Sequence, residues 1–152
     1  MSRTPLVLAA AGGSVALLAG AFLFQAMGYA PCAMCIWQRW PHAAAIALGA
    51  AALFARGPAL PILGSIAVAT TALLGLYHTG VERAWWEGPA SCTGSGAMGG
   101  GDLLSLDGPR LVMCDQVSWE LLGLSMASWN ALASLALVLV WTLAARAPSR
   151  AA

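Results

Sequence analysis

The sequence predicts an all-α membrane protein, a bundle of four transmembrane helices with a long extracytoplasmic loop between helices 3 and 4. Of the 152 residues, 60% are hydrophobic and only 9% are charged, which is too little charge to cover a soluble domain. The apolar residues fall into four long runs, and about 20 mainly apolar residues suffice for one membrane helix. A single integral membrane domain over residues 1–152 is therefore expected.

The four spans differ in how clearly the sequence marks them. The first run is too long for a signal peptide, and no convincing cleavage site precedes the cysteines. The second has the weakest signal, because Arg39, Pro41 and His42 lie in its first turns. In the fourth, Ser125 and Asn130 are expected to make interhelical hydrogen bonds. The predicted spans are about residues 6–27, 36–55, 60–81 and 119–143.

Arginines near the span ends predict the orientation. One side carries four arginines and no acidic residue, whereas the other carries three arginines and all the acidic residues. Two of those three arginines lie in the long loop, which contributes less to the bias. Both termini are therefore expected in the cytoplasm, with segments 28–35 and 82–118 outside. The arginines assigned to the cytoplasm are Arg3, Arg56, Arg146 and Arg150.

The four cysteines all fall on the predicted outer side, where disulfides persist in bacteria. They lie outside the apolar runs or at their edges, so we expect them to perform chemistry rather than to fill a core. The sequence has no lysine, which argues against a polybasic nucleic-acid site. Thiol–disulfide chemistry is the function class that remains.

The first cysteine pair, Cys32 and Cys35, forms a CxxC motif. A CxxC disulfide closes a very short ring and is often redox-active. A zinc site is disfavoured, because the other two cysteines are far apart and form no second CxxC. Haem attachment is excluded, because Ile36 and not histidine follows the motif. A purely structural disulfide remains an alternative.

Helical spacing places Cys32, Cys35, Arg39 and His42 on one face. The guanidinium of Arg39 and the helix N-terminus would then both favour a thiolate on Cys35. The alternative is that Arg39 only extends its charge to the membrane interface. Pro41 is expected to interrupt the helix, which leaves the alignment of His42 open.

The second pair, Cys92 and Cys114, lies in the long loop with the glycine-rich segment 94–101 between its members. Such a segment is expected to be flexible, which suits sulfurs that must reach a partner and then another cysteine. An ordinary loop disulfide is the alternative.

Five tryptophans cluster at the predicted outer boundary and are expected to form an interfacial belt. Two of them, Trp37 and Trp40, are also candidates for the wall of a pocket that takes a planar ligand. The other three are Trp85, Trp86 and Trp119.

Three segments resemble the DsbB (disulfide bond formation protein B) family. Residues 31–39, Pro-Cys-Ala-Met-Cys-Ile-Trp-Gln-Arg, are similar to its first redox motif. Residues 114–129, from Cys-Asp through Leu-Gly-Leu-Ser-Met to Trp, resemble its last loop where it enters the fourth helix. Residues 77–92, with Tyr-His-Thr-Gly-Val-Glu before the cysteine, also resemble the family. The resemblance covers nearly the whole chain.

This resemblance implies a four-helix bundle of the bacterial inner membrane with its long loop in the periplasm. It implies a disulfide-forming protein dithiol:quinone oxidoreductase, which reoxidises a soluble DsbA-like thiol oxidase of the thioredoxin fold. Electrons would pass to ubiquinone, or to menaquinone when oxygen is scarce. Carried over by position, Arg39 and Cys35 would meet the quinone, and His78 is a weaker candidate for the same pocket.

The resemblance also implies an order of reaction among the cysteines. The partner's thiolate would attack Cys92, and Cys114, once released, would attack Cys32. Cys35 would become the thiolate beside the quinone.

The sequence departs from the family pattern at Gln38, where an acidic residue is common, and the loop between residues 92 and 114 looks short. Two alternatives therefore stay open. One is a DsbI-like relative with a dedicated thiol partner. The other is a non-catalytic membrane scaffold with two structural disulfides.

Overall fold

A computed structural model describes residues 2–93 and 112–148 of the chain. Each helix packs against the next one along the chain, and the last closes the bundle against the first. The predicted all-helical class with four helices is confirmed over these residues. The segment 94–101, expected to be flexible, and Arg150 lie outside the described residues. The helices are α1 (Arg3–Ala26), α2 (Ala33–Ala52), α3 (Ala59–Glu82) and α4 (Met126–Arg146).

Three helices in the described part of the chain, α1, α3 and α4, are long and apolar enough to cross a membrane. Helix α2 has 20 residues, so it reaches about 30 Å, but three polar residues in its first turns lower its mean hydropathy. Large apolar side chains also point away from the bundle. Leu73 and Leu139 are 66% and 67% exposed, as expected where lipid covers the outer surface.

One end of the bundle is held by an apolar cluster around Trp141. Its indole ring is fully buried and lies against Gly64, where a Cβ atom would approach ring carbons to 2.8 Å. The absence of a side chain at Gly64 therefore lets α3 approach α4 closely. The cluster also contains Leu6, Val7, Ala10, Ala45, Ala52, Val68 and Ala144.

Helix α2 differs from the predicted span in two respects. It begins at Ala33 because the sulfur of Cys32 caps it, accepting a hydrogen bond from the Cys35 amide at 3.2 Å. It also continues through Pro41 without interruption, so the expected break is wrong. Proline removes one backbone hydrogen bond, but α2 packs against both α1 and α3. This packing keeps the helix continuous.

The fourth helix starts at Met126, seven positions after the predicted start of its span. The intervening residues form a small antiparallel hairpin, in which Glu120–Leu121 pairs with Leu124–Ser125. Its turn residues, Leu122 and Gly123, have φ angles of 55° and 73°, the conformation of a tight two-residue turn. The apolar composition of this hairpin explains why it resembles a helix start in the sequence.

The segment after α3 folds back over the end of that helix. Trp86 lies over Gly80, where an added Cβ would overlap the indole ring. The indole nitrogen donates a hydrogen bond to the carbonyl of Tyr77 at 2.8 Å, and the two rings stack. Ala84 reverses the chain with a φ of 54°. This arrangement returns the chain to the bundle and positions Cys92.

Candidate active site

The two cysteine pairs meet in one buried cluster at the end of the bundle opposite Trp141. Cys92 and Cys114 form a disulfide, while Cys32 and Cys35 are free thiols. Cys32 and Cys92 are each 4% exposed and Cys114 is fully buried. They pack together with Val81 and other apolar residues. The sequence analysis expected the cysteines not to be buried in a core, and this is wrong for Cys32, Cys92 and Cys114, because both ends of the loop fold over the start of α2.

The CxxC pair is shaped by the start of α2. The sulfurs of Cys32 and Cys35 lie 2.9 Å apart, and the Cys35 amide donates to the Cys32 sulfur. The hydrogen bond to the Cys35 thiol, reinforced by His78, outweighs burial and lowers the pKa of Cys32 to about 4. The stabilised thiolate is therefore Cys32, whereas the sequence analysis expected the helix start to favour Cys35.

His78 joins the CxxC pair from α3. Its Nε2 lies 3.6 Å from the Cys32 sulfur and 3.8 Å from a carboxylate oxygen of Glu82. Its Nδ1 lies 3.0 Å from the amide nitrogen of Gln38. The histidine residue is 2% exposed. The sequence analysis offered His78 only as a weaker candidate for the ligand pocket, and the structure places it in contact with the reactive sulfur.

Arg39 takes a different position from the one expected. One guanidinium nitrogen donates to the Gln25 side-chain oxygen at 2.7 Å, and another donates to the Ala21 carbonyl at 3.2 Å. The guanidinium carbon also lies 4.8 Å from the centre of the Phe22 ring. These contacts direct the charge towards α1 instead of towards Cys35, so the predicted contact between guanidinium and thiolate does not form.

A cavity lies beneath the CxxC pair, between the helices. It brings together all the predicted site residues outside the loop pair, since Cys32, Cys35, Arg39, His42 and His78 line it. Cys92 and Cys114 belong to the buried cluster around Cys32 and are not among the residues that line this cavity. The wall is completed by polar and apolar side chains that include Gln38, Glu82, Asn130, Phe24, Trp119 and Met126.

An apolar groove between α1 and α4 adjoins this cavity. Leu17, Ala21 and Phe24 line both spaces. Trp119 lines both as well, so it takes the role of pocket wall that the sequence analysis considered for Trp37 and Trp40. Those two side chains are 42% and 72% exposed, as expected for an interfacial position. The polar cavity is thus continuous with an apolar space that a lipid-like chain could occupy.

The structure adds polar residues that the sequence analysis did not assign to the site. The Asn130 amide nitrogen donates to the Gln38 side-chain oxygen at 2.8 Å and to the Thr71 hydroxyl at 3.1 Å. The Asn130 oxygen lies 3.0 Å from His42 Nε2. Polar groups in an apolar helix are expensive unless they serve a function or pair with each other. This rule marks Gln38, Thr71 and Asn130 as candidates from the sequence, but it does not show which of them meet in the folded protein.

Two residues on the cavity wall, His42 and Glu82, each have a buried polar atom without a hydrogen-bond partner among the described residues. His42 Nδ1 is buried and makes no hydrogen bond among the described residues. Buried polar atoms are usually satisfied, so this nitrogen can accept a hydrogen bond from a molecule in the cavity.

The donor atoms of Cys32, Cys35 and His78 lie within 4.8 Å of one another, a set that could hold a metal ion. The sequence analysis considered only cysteines as zinc ligands and did not include this histidine. A metal would need the lone pair of His78 Nε2. The Gln38 amide donates to Nδ1, which leaves the proton on Nε2. This arrangement argues against a metal centre in the described state.

Comparison with known proteins agrees with this cysteine arrangement. The profile of the family described as "Disulfide bond formation protein DsbB" matches residues 2–144. The chain belongs to the DsbB family. It is 33% identical over 159 aligned residues to a protein named "Disulfide bond formation protein B" from Azoarcus sp. (strain BH72), with 95% of each chain covered. No solved structure gives a significant match.

Family membership confirms the resemblance seen in the sequence and establishes a membrane protein of disulfide bond formation. At the level of the family, the chain is a disulfide-forming oxidoreductase. Family members are generally linked to a quinone. The cavity fits such a group, because Arg39 supplies a hydrogen-bond donor for a carbonyl oxygen and Cys35 supplies a reducing sulfur on the same wall. The adjoining groove would accommodate an apolar tail.

Proposed function

We propose that the protein generates disulfides at the bacterial inner membrane by reoxidising a periplasmic DsbA-like thiol oxidase of the thioredoxin fold. It passes the electrons to a membrane quinone, either ubiquinone or menaquinone. The observation that carries the proposal is that the Cys92–Cys114 disulfide and Cys32 share one buried cluster, next to a cavity lined by Cys32 and Cys35. This proximity supports the transfer of two electrons from the loop pair to the CxxC pair and on to a molecule in the cavity.

The first step takes electrons from the partner. Its thiolate attacks the Cys92 sulfur, the Cys92–Cys114 bond breaks, and the electron pair leaves on Cys114. The partner's second thiol then resolves the mixed disulfide, so the partner leaves oxidised and Cys92 is released as a thiolate. Because Cys92 is 4% exposed, partner binding must expose this sulfur.

The second step moves the electrons to the CxxC pair. Cys114 attacks Cys32 in a Cys32–Cys35 disulfide, and Cys35 leaves as a thiolate. Cys92 then attacks Cys114, which restores the loop disulfide and releases Cys32. A thiolate of low pKa leaves readily, and the pKa of Cys32 is about 4. The products, an oxidised loop pair and a reduced CxxC pair, correspond to the redox state of the structure.

The third step returns the CxxC pair to its disulfide. The reduced pair would give a bound quinone two electrons and the proton of the Cys35 thiol, and the second proton, which the Cys32 thiolate lacks, would come from water. Cys35 faces the cavity and delivers the electrons, while the Cys32 thiolate closes the new disulfide on Cys35. Arg39 lines the same space and would donate a hydrogen bond to an oxygen of the acceptor, and His78 lines it beside the Cys32 sulfur.

We place the cysteine end of the bundle in the periplasm and both termini in the cytoplasm. The arginine distribution supports this orientation, and the chemistry requires it, because disulfides form and persist outside the cytoplasm.

Quinone reduction tests the proposal directly. Purified protein is mixed with a soluble quinone analogue and a reduced thioredoxin-fold oxidase, and quinone absorbance is followed with time. Wild type is expected to turn over, whereas Cys35→Ser is expected to lose turnover by several orders of magnitude. Cys92→Ser should retain a single reduction of quinone by the reduced CxxC pair. Equal steady-state rates in wild type and Cys35→Ser would disprove the mechanism.

The burial of the loop disulfide favours a second candidate, a scaffold in which Cys92–Cys114 is purely structural. A trapping experiment separates the two. Cys114→Ser leaves Cys92 without its intramolecular partner and should hold a mixed disulfide with the thiol oxidase, whereas Cys92→Ser should not. A dedicated partner, as in a DsbI-like relative, would be trapped in place of the general oxidase. Failure to trap either protein would favour the scaffold.

A further inference from the structure

A buried chain of amide and imidazole groups crosses the centre of the bundle, and one contact fixes its direction. The side-chain nitrogen of Gln38 lies 3.1 Å from the backbone carbonyl of Met34. A backbone carbonyl can only accept a hydrogen bond. This contact therefore shows which end atom of the Gln38 amide is the nitrogen. If the amide were reversed, its oxygen would face the Met34 carbonyl oxygen, and both atoms are acceptors.

The orientation of Gln38 determines which nitrogen of His78 carries the proton. The second hydrogen of the Gln38 amide points to His78 Nδ1 at 3.0 Å. Nδ1 must accept, so the proton of the neutral ring is on Nε2. Nε2 is the nitrogen that lies 3.6 Å from the Cys32 sulfur. A neutral imidazole thus directs an N–H group towards the thiolate.

The opposite end of Gln38 is equally constrained. Its oxygen accepts from Asn130 at 2.8 Å, and Asn130 also donates to the Thr71 hydroxyl at 3.1 Å. The Thr71 hydroxyl donates to the Gln38 backbone carbonyl at 3.0 Å. The Asn130 oxygen must then accept from His42 Nε2. Each donor meets an acceptor in this arrangement, which places the proton of both histidines on Nε2.

We propose that Gln38 is a positioning residue for the dithiol, because it holds the His78 proton on Nε2 and so keeps a hydrogen-bond donor on the Cys32 sulfur. Gln38 touches neither sulfur in the described contacts and acts through His78. Without the amide, a neutral His78 is free to carry its proton on Nδ1. Its lone pair would then face the thiolate and repel it. The role in turnover rests on the proposed function, whereas the tautomer does not.

Nitrogen NMR of the two histidines tests the tautomer. His42 and His78 are the only histidines in the sequence, so ¹⁵N-histidine labelling gives two imidazoles, and His42→Phe assigns them. In wild type, with the CxxC pair reduced and no quinone or partner present, both rings are expected to carry the proton on Nε2. Gln38→Leu should shift His78 to the Nδ1–H form or to a mixture. His42 should stay unchanged because Asn130 still faces it.

Matched variants separate this effect from a general loss of packing. Thr71→Val removes hydrogen bonds from the same network but leaves the contact between Gln38 and His78, so the His78 signals should not move. Gln38→Glu keeps an acceptor for Asn130 and replaces the donor at Nδ1 with an acceptor. Gln38→Glu should therefore place a proton on Nδ1 of His78. It replaces Gln38→Leu in the NMR experiment if Gln38→Leu does not fold.

Alkylation of Cys32, located by fragmentation mass spectrometry, measures the consequence for the sulfur. The titratable groups that face Cys32 are Cys35 from α2, with His78 and Glu82 from α3. At a pH below the midpoint of the Cys32 titration, Gln38→Leu should lower the rate of Cys32 alkylation about tenfold. This is the effect expected when the pKa of the thiol rises by about one. Thr71→Val should leave the rate unchanged.

Three results would overturn the proposal: a wild-type His78 with its proton on Nδ1, His78 signals unmoved by Gln38→Leu, or a changed tautomer with unchanged Cys32 reactivity. These measurements use neither the acceptor nor the thiol partner. A negative result in the NMR and alkylation experiments would therefore contradict the role of Gln38 alone. The proposed function is tested separately, by quinone reduction and partner trapping.

Discussion

His78 Nε2 lies 3.6 Å from the Cys32 sulfur, although 46 residues separate the two positions. The hydrogen bond between the CxxC sulfurs, with His78 and the Cys35 amide, makes Cys32 the more acidic thiol of its pair. An acidic thiol at a helix start is both a good leaving group and a ready nucleophile near neutral pH. The acidity of Cys32 is therefore the property from which the pH behaviour of the reduced protein follows.

We expect the reduced protein to keep a thiolate on Cys32 down to about pH 5, because its pKa is about 4 in place of the ordinary 9.0. A lowered folded pKa stabilises the fold fully above the unfolded pKa, and this stabilisation is lost as the pH falls through 4. Thermal unfolding should therefore show wild-type stability rising relative to Cys32→Ser between about pH 4 and 9. Ultraviolet absorbance of the thiolate gives the midpoint directly.

His78→Phe is the companion variant for this pH prediction. Removing the imidazole should raise the midpoint, while the hydrogen bond from the Cys35 amide remains. A wild-type midpoint near that of an ordinary thiol would contradict the assigned acidity.

The fold was predictable wherever the sequence of a single segment is enough to identify its structure. An apolar run of about 20 residues predicts a membrane helix without reference to the rest of the chain, and residues 2–93 and 112–148 contain four helices. The boundaries were less accurate, because local chemistry decided them. Cysteine is not among the usual capping residues, so the cap at Cys32 could not be anticipated. The hairpin at residues 120–125 was hidden by its apolar composition.

The site was predictable only in part, because its contacts join distant positions. The CxxC motif and Arg39 are local patterns, and they line one cavity. The contacts of Gln38 with His78 and Asn130 span 40 and 92 residues, and no spacing rule brings such positions together. The direction of Arg39 towards α1 likewise depends on packing that helical periodicity does not describe.

Gly80→Ala should loosen the segment that carries Cys92, because the added Cβ would overlap the ring of Trp86. Overpacking of this kind costs about 1–3 kcal/mol, and small thiols should then reduce the Cys92–Cys114 disulfide several-fold faster. Gly12→Ala is the matched control, since nothing lies within 4 Å of its Cβ. Combining Gly80→Ala with Trp86→Leu should recover part of the lost stability. If the Cys92–Cys114 disulfide were reduced at the same rate in Gly80→Ala and Gly12→Ala, Trp86 would not hold the segment that carries Cys92 in place.

Reporter fusions should place both termini in the cytoplasm. A fluorescent protein joined after Ala152 should fluoresce, because it folds in the cytoplasm, whereas alkaline phosphatase at the same position should be inactive. A phosphatase inserted after Gly88, next to the cysteine cluster, should be active. The reverse pattern would contradict the orientation derived from the arginines and would place the cysteines in a reducing compartment.

Arg39→Ala should raise the apparent KM for a quinone analogue about tenfold, a loss of about 1.4 kcal/mol of binding, with a smaller change in kcat. The reason is that Arg39 is the cation among the residues that line the cavity, which Cys35 also lines. Its hydrogen bond to Gln25 is on the exposed side, so the thermal midpoint should fall only slightly. Steady-state kinetics with a varied quinone concentration measures the effect.

Gln25→Leu distinguishes ligand contact from helix attachment. This variant removes the side-chain partner of Arg39 but keeps its charge and its bond to the Ala21 carbonyl. We expect its KM to stay within about twofold of wild type, because an exposed hydrogen bond contributes little. If Gln25→Leu raised the KM as much as Arg39→Ala does, Arg39 would act by attaching α2 to α1. An unchanged KM in Arg39→Ala would leave the guanidinium with an interfacial role alone.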